Sequence, residues 1–398
     1  MTETDTASAT PAPDALARVL ADAPFVRLVV AEDGDSVAAT GTLTRALRAR
    51  GVPFQARVSR DPVSDVDTED DELVMTVGGG GSASAGGNRH TIPGTGRPAS
   101  TTAFAVAREL GIDPDPVVAL AGGVAAGSVP GTDGTGDALE AAELSGHVHR
   151  RPGVALPTAD LADGLAASTL LRVPYSGDPE SAQAAIAALD LPATLDDDAH
   201  RRLASLVAVD VASAATASDG APTAVERALR PYAIDDGGAA PFETVGGYAD
   251  VLDVLAREAP GTGVALALAT EPGADLVTAA RDAWREHGLA AHRALDAATT
   301  GRYDGCLVAR VDAPGATLPT IARLLRDFQS PEPVAVVLEE PSGRIAAAAT
   351  EPRRLGEVCR SVARNVGGDG WGTAVRGELS IGAEADPTDA LAALREAL

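Results

Sequence analysis

The feature that most restricts the fold of this chain is a buried strand that leads through two aspartates into a helix. The apolar residues 25–30 are typical of a strand inside a parallel sheet. Asp33 and Asp35 follow it, and residues 37–47 have the apolar spacing of a helix. Both carboxylates are therefore expected at the carboxyl end of a strand, beside a helix N-terminus, where open α/β sheets bind their ligands.

Strands and helices continue to alternate along the chain, which predicts an α/β fold. In the first half, we expect strands over residues 25–31, 53–59 and 72–77 and helices over 37–50, 100–110 and 117–126. In the second half, we expect strands over residues 264–269, 306–311, 334–338, 344–350 and 378–381. We therefore predict two α/β domains, an N-terminal doubly wound parallel sheet and a smaller C-terminal domain with a mixed sheet, joined by a helical segment.

The expected bounds of these parts follow from changes in composition and pattern. They are a disordered acidic tail over residues 1–16, an N-terminal domain over 17–175, a helical connector over 176–258 and a C-terminal domain over 259–398.

The composition indicates a halophilic protein from a cytoplasm of very high salt. The chain has 57 acidic residues against 32 basic ones, for a net charge of −25, and it contains no lysine. Dense carboxylates keep a protein surface hydrated under such conditions. Because the Debye length falls to about 3 Å in molar salt, this net charge says little about whether a local surface binds nucleic acid.

Cysteine usage and the apolar segments exclude several classes of protein. Two cysteines are too few for a disulfide framework or a structural zinc site. The first 16 residues lack the charged and apolar regions of a signal peptide. The longest apolar stretch, residues 116–129, is too short to cross a bilayer. We therefore predict a cytoplasmic protein without membrane association.

Asp33 and Asp35 have two interpretations. Two carboxylates on one loop can hold a divalent cation such as Mn²⁺ or Mg²⁺. A phosphoesterase with two metal ions about 4 Å apart needs further carboxylates or histidines from other strands. The alternative is that the two aspartates cap a helix and carry surface charge.

Five segments occur in an order and spacing typical of one protein family. They are residues 33–39 (DGDSVAA), 46–58, 165–177, 246–250 and 367–372. Their order resembles the DHH phosphoesterase superfamily, especially the RecJ-like single-strand exonucleases of archaea, whose first motif reads D-x-D-G-x-x-A. The resemblance implies a DHH-like phosphoesterase domain over residues 17–175 and a DHH-associated substrate-binding domain over residues 259–398.

The chain departs from this family at most of the metal-ligand positions. Residues that do not coordinate metals well stand where the resemblance would place ligands: Val77, Ser128 and Thr373. The family's Asp-His-His motif is reduced to Asn88, Arg89 and His90. The ligands that the resemblance leaves are Asp33, Asp35 and His90. We therefore expect that a two-metal site does not form, and that any remaining Mn²⁺ or Mg²⁺ binds at the first motif.

A glycine-rich segment near the C-terminus resembles the substrate-binding signature of the family. Its candidate residues for binding nucleic acid or phosphate are Gly367, Gly368, Gly370, Trp371, Gly372, Thr373 and Arg376. Backbone N–H groups of such a segment can cradle a phosphate, while tryptophan and arginine can stack on a base and clamp a phosphate. A plain turn with a tryptophan in the core is the alternative.

The resemblance also implies a role in DNA replication or repair. Because the ligand set is incomplete, we expect a catalytically degenerate relative of a 5′–3′ single-strand exonuclease, acting as a nucleic-acid-binding or replisome scaffold subunit. In the resembled family, replicative helicase complexes include a RecJ-like partner that docks on the GINS complex. Single-stranded nucleic acid and a GINS-type complex are therefore the expected partners, and the sequence leaves the oligomeric state open.

Two alternatives to the scaffold hypothesis stay open. An active metal-dependent single-strand exonuclease or phosphodiesterase would need a carboxylate from the acidic residues 61–71 to reach Asp33 and Asp35. A nucleotide-binding sensor would bind a mononucleotide or cyclic dinucleotide in the same cleft without cleaving it.

Overall fold

The structure, a computed structural model, describes residues 12–62, 72–79, 88–235 and 240–398. The first elements are α1 (Pro13–Asp22), β1 (Val26–Ala31), α2 (Gly34–Arg50), β2 (Phe54–Ser59), β3 (Leu73–Val77), β4 (Arg89–Ile92), α3 (Ala99–Glu109), α4 (Pro116–Ala125) and α5 (Gly136–Leu144). The central elements are β5 (Val148–Arg150), α6 (Leu161–Ala167), α7 (Pro179–Ala187), α8 (Asp197–Ser213), α9 (Ala221–Glu226), β6 (Tyr232–Ile234), α10 (Val245–Glu258), α11 (Pro260–Leu268) and α12 (Ala274–Asp296). The last elements are β7 (Thr299–Tyr303), β8 (Cys306–Val311), α13 (Leu318–Phe328), β9 (Val334–Glu339), β10 (Arg344–Ala349), α14 (Leu355–Asn365), β11 (Gly370–Gly372), β12 (Arg376–Leu379) and α15 (Pro387–Ala397).

The described residues form two compact units that are interleaved along the chain. The first contains the residues up to His147 together with Leu255–Val277, and the second contains Val148–Val254 and Thr278–Leu398. The sequence instead predicts consecutive domains, with boundaries after residues 175 and 258, and those bounds stay a prediction.

A parallel sheet lies at the centre of the first unit. Its strand order is β2–β1–β3–β4, and every neighbouring pair is parallel. The central strands β1 and β3 are apolar except for Arg27 and Thr76, and the register partners Val30 and Val77 are fully buried. The N-terminal parallel sheet expected from the sequence is therefore confirmed.

Helix α2 is buried over most of its length although it contains several threonines. The Thr40 and Thr44 hydroxyls donate to the carbonyls of Ser36 and Thr40, one turn earlier in the same helix. This pairing satisfies the hydroxyls inside the protein. Because these hydroxyls are paired, α2 can pack between other helices despite its threonines.

Arg45 ties α2 to the end of α11. Its Nε donates to the Leu268 carbonyl at 2.9 Å, and its Nη1 lies 3.1 Å from the Asp115 carboxylate. The two helices touch at Gly41, because a Cβ there would lie 2.4 Å from the Cβ of Ala267.

A mixed sheet of six strands forms the core of the second unit, in the order β11–β12–β10–β9–β8–β7. Strands β8 and β9 are parallel, and the other neighbours are antiparallel. One face of the sheet, which includes Val336, Ala347 and Leu379, packs against α14 and α15. The predicted C-terminal mixed sheet is confirmed.

Six described helices begin with an aspartate whose side chain accepts a backbone N–H of the first turn. These N-caps are Asp33, Asp115, Asp160, Asp178, Asp196 and Asp386. An N-cap of this kind satisfies donors that otherwise lack a partner within the helix. Part of the acidic composition therefore marks the helix starts.

Three expectations from the sequence need correction. Residues 264–269 lie mostly in helix α11 and not in a strand, and residues 13–16 belong to helix α1 and not to a disordered tail. Strand β4 was not expected at residues 89–92. Most of the acidic loop 61–71 and of the glycine-rich run 78–87 lies outside the described residues. Within the part of the chain that the structure describes, no helix is long and apolar enough to span a membrane.

Candidate functional site

The candidate site lies where the chain changes direction across the parallel sheet. After β1 the chain crosses to β2 on one side, whereas β3 pairs with the other side of β1. The carboxyl ends of strands at such a switch point are the usual ligand position in open α/β sheets. Asp33 and Asp35 follow β1 here, while Gly78 and Gly79 follow β3.

Asp33 is the N-cap of helix α2. Its Oδ1 accepts the backbone N–H of Ser36 at 2.9 Å, and the residue is only partly buried. The N-terminal end of a helix is electropositive, which favours a carboxylate at this position. One oxygen of Asp33 is thus committed to the backbone of its own helix.

Asp35 is buried and caps a different helix. Its Oδ2 accepts the N–H of Ala99 at 2.6 Å and its Oδ1 accepts the N–H of Ser100 at 2.9 Å, at the start of α3. The residue is 4% exposed. Burial and the nearby charge of Asp33 raise the pKa of Asp35 to about 7, although its hydrogen bonds to Ser100 and Ala99 act in the opposite direction. Both oxygens of Asp35 are therefore committed.

The end of β3 supplies no ligand. Val77 is fully buried, and Gly78 donates its N–H to the Ile92 carbonyl at 2.8 Å. A Cβ on Gly78 would lie 1.8 Å from Ser36 Oγ, and its φ of +79° is one that glycine adopts readily. The backbone after β3 therefore packs directly on the first turn of α2.

His90 is not brought to the aspartates. It lies on β4 beside Met75, which is in the middle of β3 and pairs in turn with Leu28 of β1. Asp33 and Asp35 come after the last residue of β1, at the carboxyl edge of the sheet. The structure thus brings two of the three predicted metal ligands together and leaves the third within the sheet.

The residues present do not fit the two-metal centre that the DHH resemblance implies. Among residues 12–62, 72–79, 88–235 and 240–398, no group of three or more His, Cys, Asp or Glu side chains is placed to hold a metal ion. Two close divalent cations need several converging carboxylates or histidines. Residues 63–71 are outside the described ranges. The alternative in which that loop supplies a carboxylate therefore stays a prediction.

The C-terminal glycines serve close packing between a hairpin and a helix. Strand β11 crosses α14 so closely that a Cβ on Gly370 would lie 2.5 Å from the Cys359 carbonyl oxygen. A Cβ on Gly368 would lie 1.9 Å from the Ser380 carbonyl oxygen. Side chains larger than hydrogen are excluded at both positions, which accounts for glycines without requiring a ligand.

The turn of this hairpin caps α14. The Gly356 N–H donates to the Thr373 carbonyl at 2.7 Å, and the Leu355 N–H donates to the Ala374 carbonyl at 3.2 Å. Donors at the start of α14 are therefore paired within the protein and are not open to a phosphate. Within the glycine-rich segment itself, the N–H groups of Gly368 and Thr373 are paired with the Ala363 and Arg376 carbonyls. The phosphate cradle at residues 367–373 stays a prediction.

Trp371 and Arg376 lie on the same face of the six-stranded sheet. Gly370 faces α14, so its neighbour Trp371 faces the opposite side. Trp371 is paired with Glu378, and Arg376 is two residues from Glu378 along β12. Arg364 belongs to α14, on the other side of the sheet. An aromatic ring and a guanidinium thus share one partly exposed surface.

A buried polar cluster in the second unit is a feature that the sequence did not indicate. Asp250 is 2% exposed and accepts hydrogen bonds from Ser168, Thr169 and the indole N–H of Trp284. Arg323 donates to the Thr169 carbonyl at 2.9 Å. The hydrogen bonds of this cluster join residues 34 to 154 positions apart, so no local spacing could reveal it.

A cavity of about 640 Å³ opens at the carboxyl ends of β8 and β9. Its lining includes Arg310, Asp312 and Glu340, and Arg310 is paired with Glu340 at 2.9 Å. Because Arg310 is paired with a carboxylate and the other charged side chains of the lining are acidic, this cavity offers no unpaired positive charge to an anionic ligand.

Comparisons with known proteins agree with this architecture. CDC45 from Entamoeba histolytica matches with a TM-score of 0.62 at 10% identity, over 96% of this chain and 97% of that one. The exonuclease RecJ bound to manganese matches with a TM-score of 0.49 at 13% identity, over 98% and 95% of the two chains. The chain is therefore similar in fold to CDC45.

A full-length relative shows the family. The Haloarcula marismortui protein rrnAC1427 is 47% identical over 391 residues, which is 97% of this chain and 96% of the relative. Residues 298–396 match the family described as "Uncharacterized protein rrnAC1427, C-terminal domain". The chain belongs to the rrnAC1427 family.

Proposed function

We propose that this protein is a non-hydrolytic RecJ-like subunit of DNA replication or repair, which binds single-stranded nucleic acid or a GINS-type replisome complex. The observation that carries the proposal is the engagement of Asp35, whose two oxygens accept the N–H groups of Ala99 and Ser100. We also propose a cytoplasmic location at high salt, in keeping with the acidic, lysine-free composition.

The chemistry of phosphodiester cleavage supports the loss of activity. Two metal ions would activate the attacking water and stabilise the leaving oxygen, and their mutual repulsion must be offset by negative ligands. Asp33 has one committed oxygen, Asp35 has two, and Val77 has none to offer. The described residues therefore lack the charge needed to hold two cations.

The nucleotide-sensor alternative has less support. An anionic ligand at this edge of the sheet would seek the positive N-terminal ends of α2 and α3. Asp33 and Asp35 already occupy those two positions with carboxylates. A phosphate would meet negative charge there.

The second unit carries the features that support nucleic-acid binding. Within the described residues, the guanidinium groups of Arg353, Arg360, Arg364 and Arg376 have no carboxylate partner. Trp371 shares a sheet face with Arg376. Unpaired arginines are suited to phosphate, and an aromatic ring is suited to base stacking. Free arginines are notable in a chain whose net charge is −25.

The test of lost activity is a digestion assay on labelled single-stranded DNA and RNA with Mn²⁺ at molar KCl. Its control is Asp33→Ser, since serine also caps a helix but lacks the negative charge that holds a divalent cation. Asp35→Ala is a poor control because it removes both bonds to α3. We expect no degradation by either protein. Degradation by the wild type that Asp33→Ser abolishes would refute the proposal.

The binding part is tested by fluorescence anisotropy with labelled single-stranded oligonucleotides. We expect Trp371→Ala combined with Arg376→Ala to weaken binding at least about tenfold, as loss of one stacked base and one phosphate contact predicts. Arg48→Ala, which removes an exposed charge from α2, is the matched control. Equal affinities of the double variant and the wild type would exclude this surface.

A further inference from the structure

We infer that the aspartate motif of this chain has changed its role, and that Asp35 is the anchor of helix α3 and not a ligand for a cation. The residues present do not match the two-metal centre that the DHH resemblance implies. The anchoring role of Asp35 rests in part on the proposed function, but loss of activity alone does not require Asp35 to hold α3.

Helix α3 depends on a distant residue for its N-terminal cap. Its own N-cap position is Pro98, which has no side-chain acceptor, and no local side chain caps the helix. The N–H groups of Ala99 and Ser100 instead bond to Asp35, at 2.6 and 2.9 Å. A carboxylate 64 residues earlier in the chain therefore does what Ser, Thr, Asp or Asn usually does from the N-cap position.

The surroundings of this contact leave little freedom for the carboxylate. Ser100 is fully buried. A Cβ on Gly122 of α4 would lie 2.5 Å from the Ser100 Cβ and 2.7 Å from the Ala38 Cβ of α2. The start of α3 is thus held between α2 and α4. Asp35 cannot turn towards a cation without giving up the N–H groups of Ala99 and Ser100, two residues that are fully buried.

Anchoring α3 and binding a cation also oppose each other electrostatically. The N-terminus of a helix carries roughly half a positive charge, which attracts a carboxylate and repels a metal ion. In this structure Asp35 compensates the helix end. A divalent cation bound to the same carboxylate would face that end at close range. The Asp35 carboxylate can therefore bind either the N-terminus of α3 or a divalent cation well, but not both.

The test uses the full chain and compares Asp35→Ala, Asp35→Asn and Asp33→Ser. Hydrogen–deuterium exchange is followed in peptides that cover the first turn of α3. We expect exchange there to rise roughly tenfold in Asp35→Ala, less in Asp35→Asn, which keeps one acceptor, and not in Asp33→Ser. Asp33→Ser is the matched control because it removes the neighbouring charge and leaves the α3 cap intact.

A second measurement is Mn²⁺ titration followed by electron paramagnetic resonance. We expect no saturable binding by the wild type at up to millimolar Mn²⁺. Unchanged exchange at α3 in Asp35→Ala would overturn the inference, as would stoichiometric Mn²⁺ binding that Asp35→Asn removes. If Asp35→Ala does not fold, hydrogen–deuterium exchange in Asp35→Asn and the Mn²⁺ titration of the wild type still test whether Asp35 anchors α3.

These outcomes are separable from those of the digestion assay. Nuclease activity abolished by Asp33→Ser would refute the proposed function. Exchange at α3 that depends on Asp35 would still establish the anchor. Conversely, suppose that the protein is inactive and that exchange at α3 does not change in the Asp35 variants. The proposed function would then stand, and the anchoring role of Asp35 would be refuted.

Discussion

Acidification should affect two buried groups of this protein in opposite directions. His292 in the second unit is buried as a neutral ring, and Asp35 in the first unit is buried beside another carboxylate. Between pH 7 and pH 5 His292 stays neutral in the folded protein and takes up a proton only on unfolding, whereas Asp35 takes up its proton in the folded protein. Because the two effects are of similar size, the wild type should show little net response from this pair, and single variants should reveal each contribution.

The contribution of His292 is lost in acid. Its Nε2–H donates to the Ser168 carbonyl at 2.9 Å, and its Nδ1 lies 3.3 Å from an Arg172 nitrogen. Burial, with help from Arg172 and Arg323, lowers its pKa from 6.5 to about 3. A lowered pKa contributes stability above pH 6.5 that disappears as the pH falls towards 3. At 1.36 kcal/mol per pKa unit, the loss between pH 7 and pH 5 is about 2 kcal/mol.

The contribution of Asp35 has the opposite sign. Burial and the charge of Asp33 raise its pKa from 3.8 to about 7. A raised pKa gives stability that is complete below pH 3.8 and is lost as the pH rises through 7. The same conversion gives a gain of about 2 kcal/mol between pH 7 and pH 5.

The assay is urea unfolding at molar KCl, at pH 7 and pH 5, for the wild type, His292→Gln and Asp35→Asn. Glutamine keeps an N–H for the Ser168 carbonyl but does not titrate. Relative to the wild type, acidification should favour His292→Gln by about 2 kcal/mol and disfavour Asp35→Asn by about as much. A pH response of His292→Gln equal to that of the wild type would refute the neutral burial of this ring.

Three further predictions concern stability and reactivity. Arg45→Met should lower the free energy of unfolding by about 1–3 kcal/mol in urea titrations, because the guanidinium bond to the Leu268 carbonyl is lost. Asp250→Ala should cost about 3 kcal/mol or more by calorimetry, since it leaves the Trp284 indole N–H and other buried donors unpaired. Burial raises the pKa of Cys359 to about 12, so a thiol reagent should label it only after unfolding.

The sequence predicted best those elements whose signal is local. The strand before Asp33 and the helix after it have clear apolar patterns, and both are present as β1 and α2. Strand β8 has the bounds that the sequence pattern predicts, residues 306–311. In each case the length and period of the apolar pattern were sufficient to identify the element.

The failures have physical causes. Residues 264–269 form an apolar run too short to distinguish a buried helix from a strand, and packing against Gly41 of α2 places them in α11. Strand β4 is only four residues long and contains Arg89 and His90, so its pattern is weak. Edge strands of this kind are defined by pairing with a neighbour more than by their own residues.

The candidate site was predictable in position but not in its bonds. The strand–aspartate–helix junction correctly located Asp33 and Asp35 at the carboxyl edge of the sheet. That Asp35 bonds to Ala99 and Ser100 depends on tertiary contacts across 64 residues. Sequence spacing carries no information about such a pairing. The same holds for the position of His90, which follows from the register of β4.

The aspartate N-caps separate two properties that an acidic chain usually combines. A capping carboxylate contributes charge to the surface and also determines where a helix begins, and its bond to the backbone acts at contact distance, where salt screens little. Glutamate has the same charge but a longer side chain that caps poorly. Exchanging the six capping aspartates for glutamate would therefore leave the electrostatic character of the chain unchanged and remove six of its helix-start signals. In this protein the same six residues therefore supply negative charge and mark the starts of helices, and only the second role depends on which acid is used.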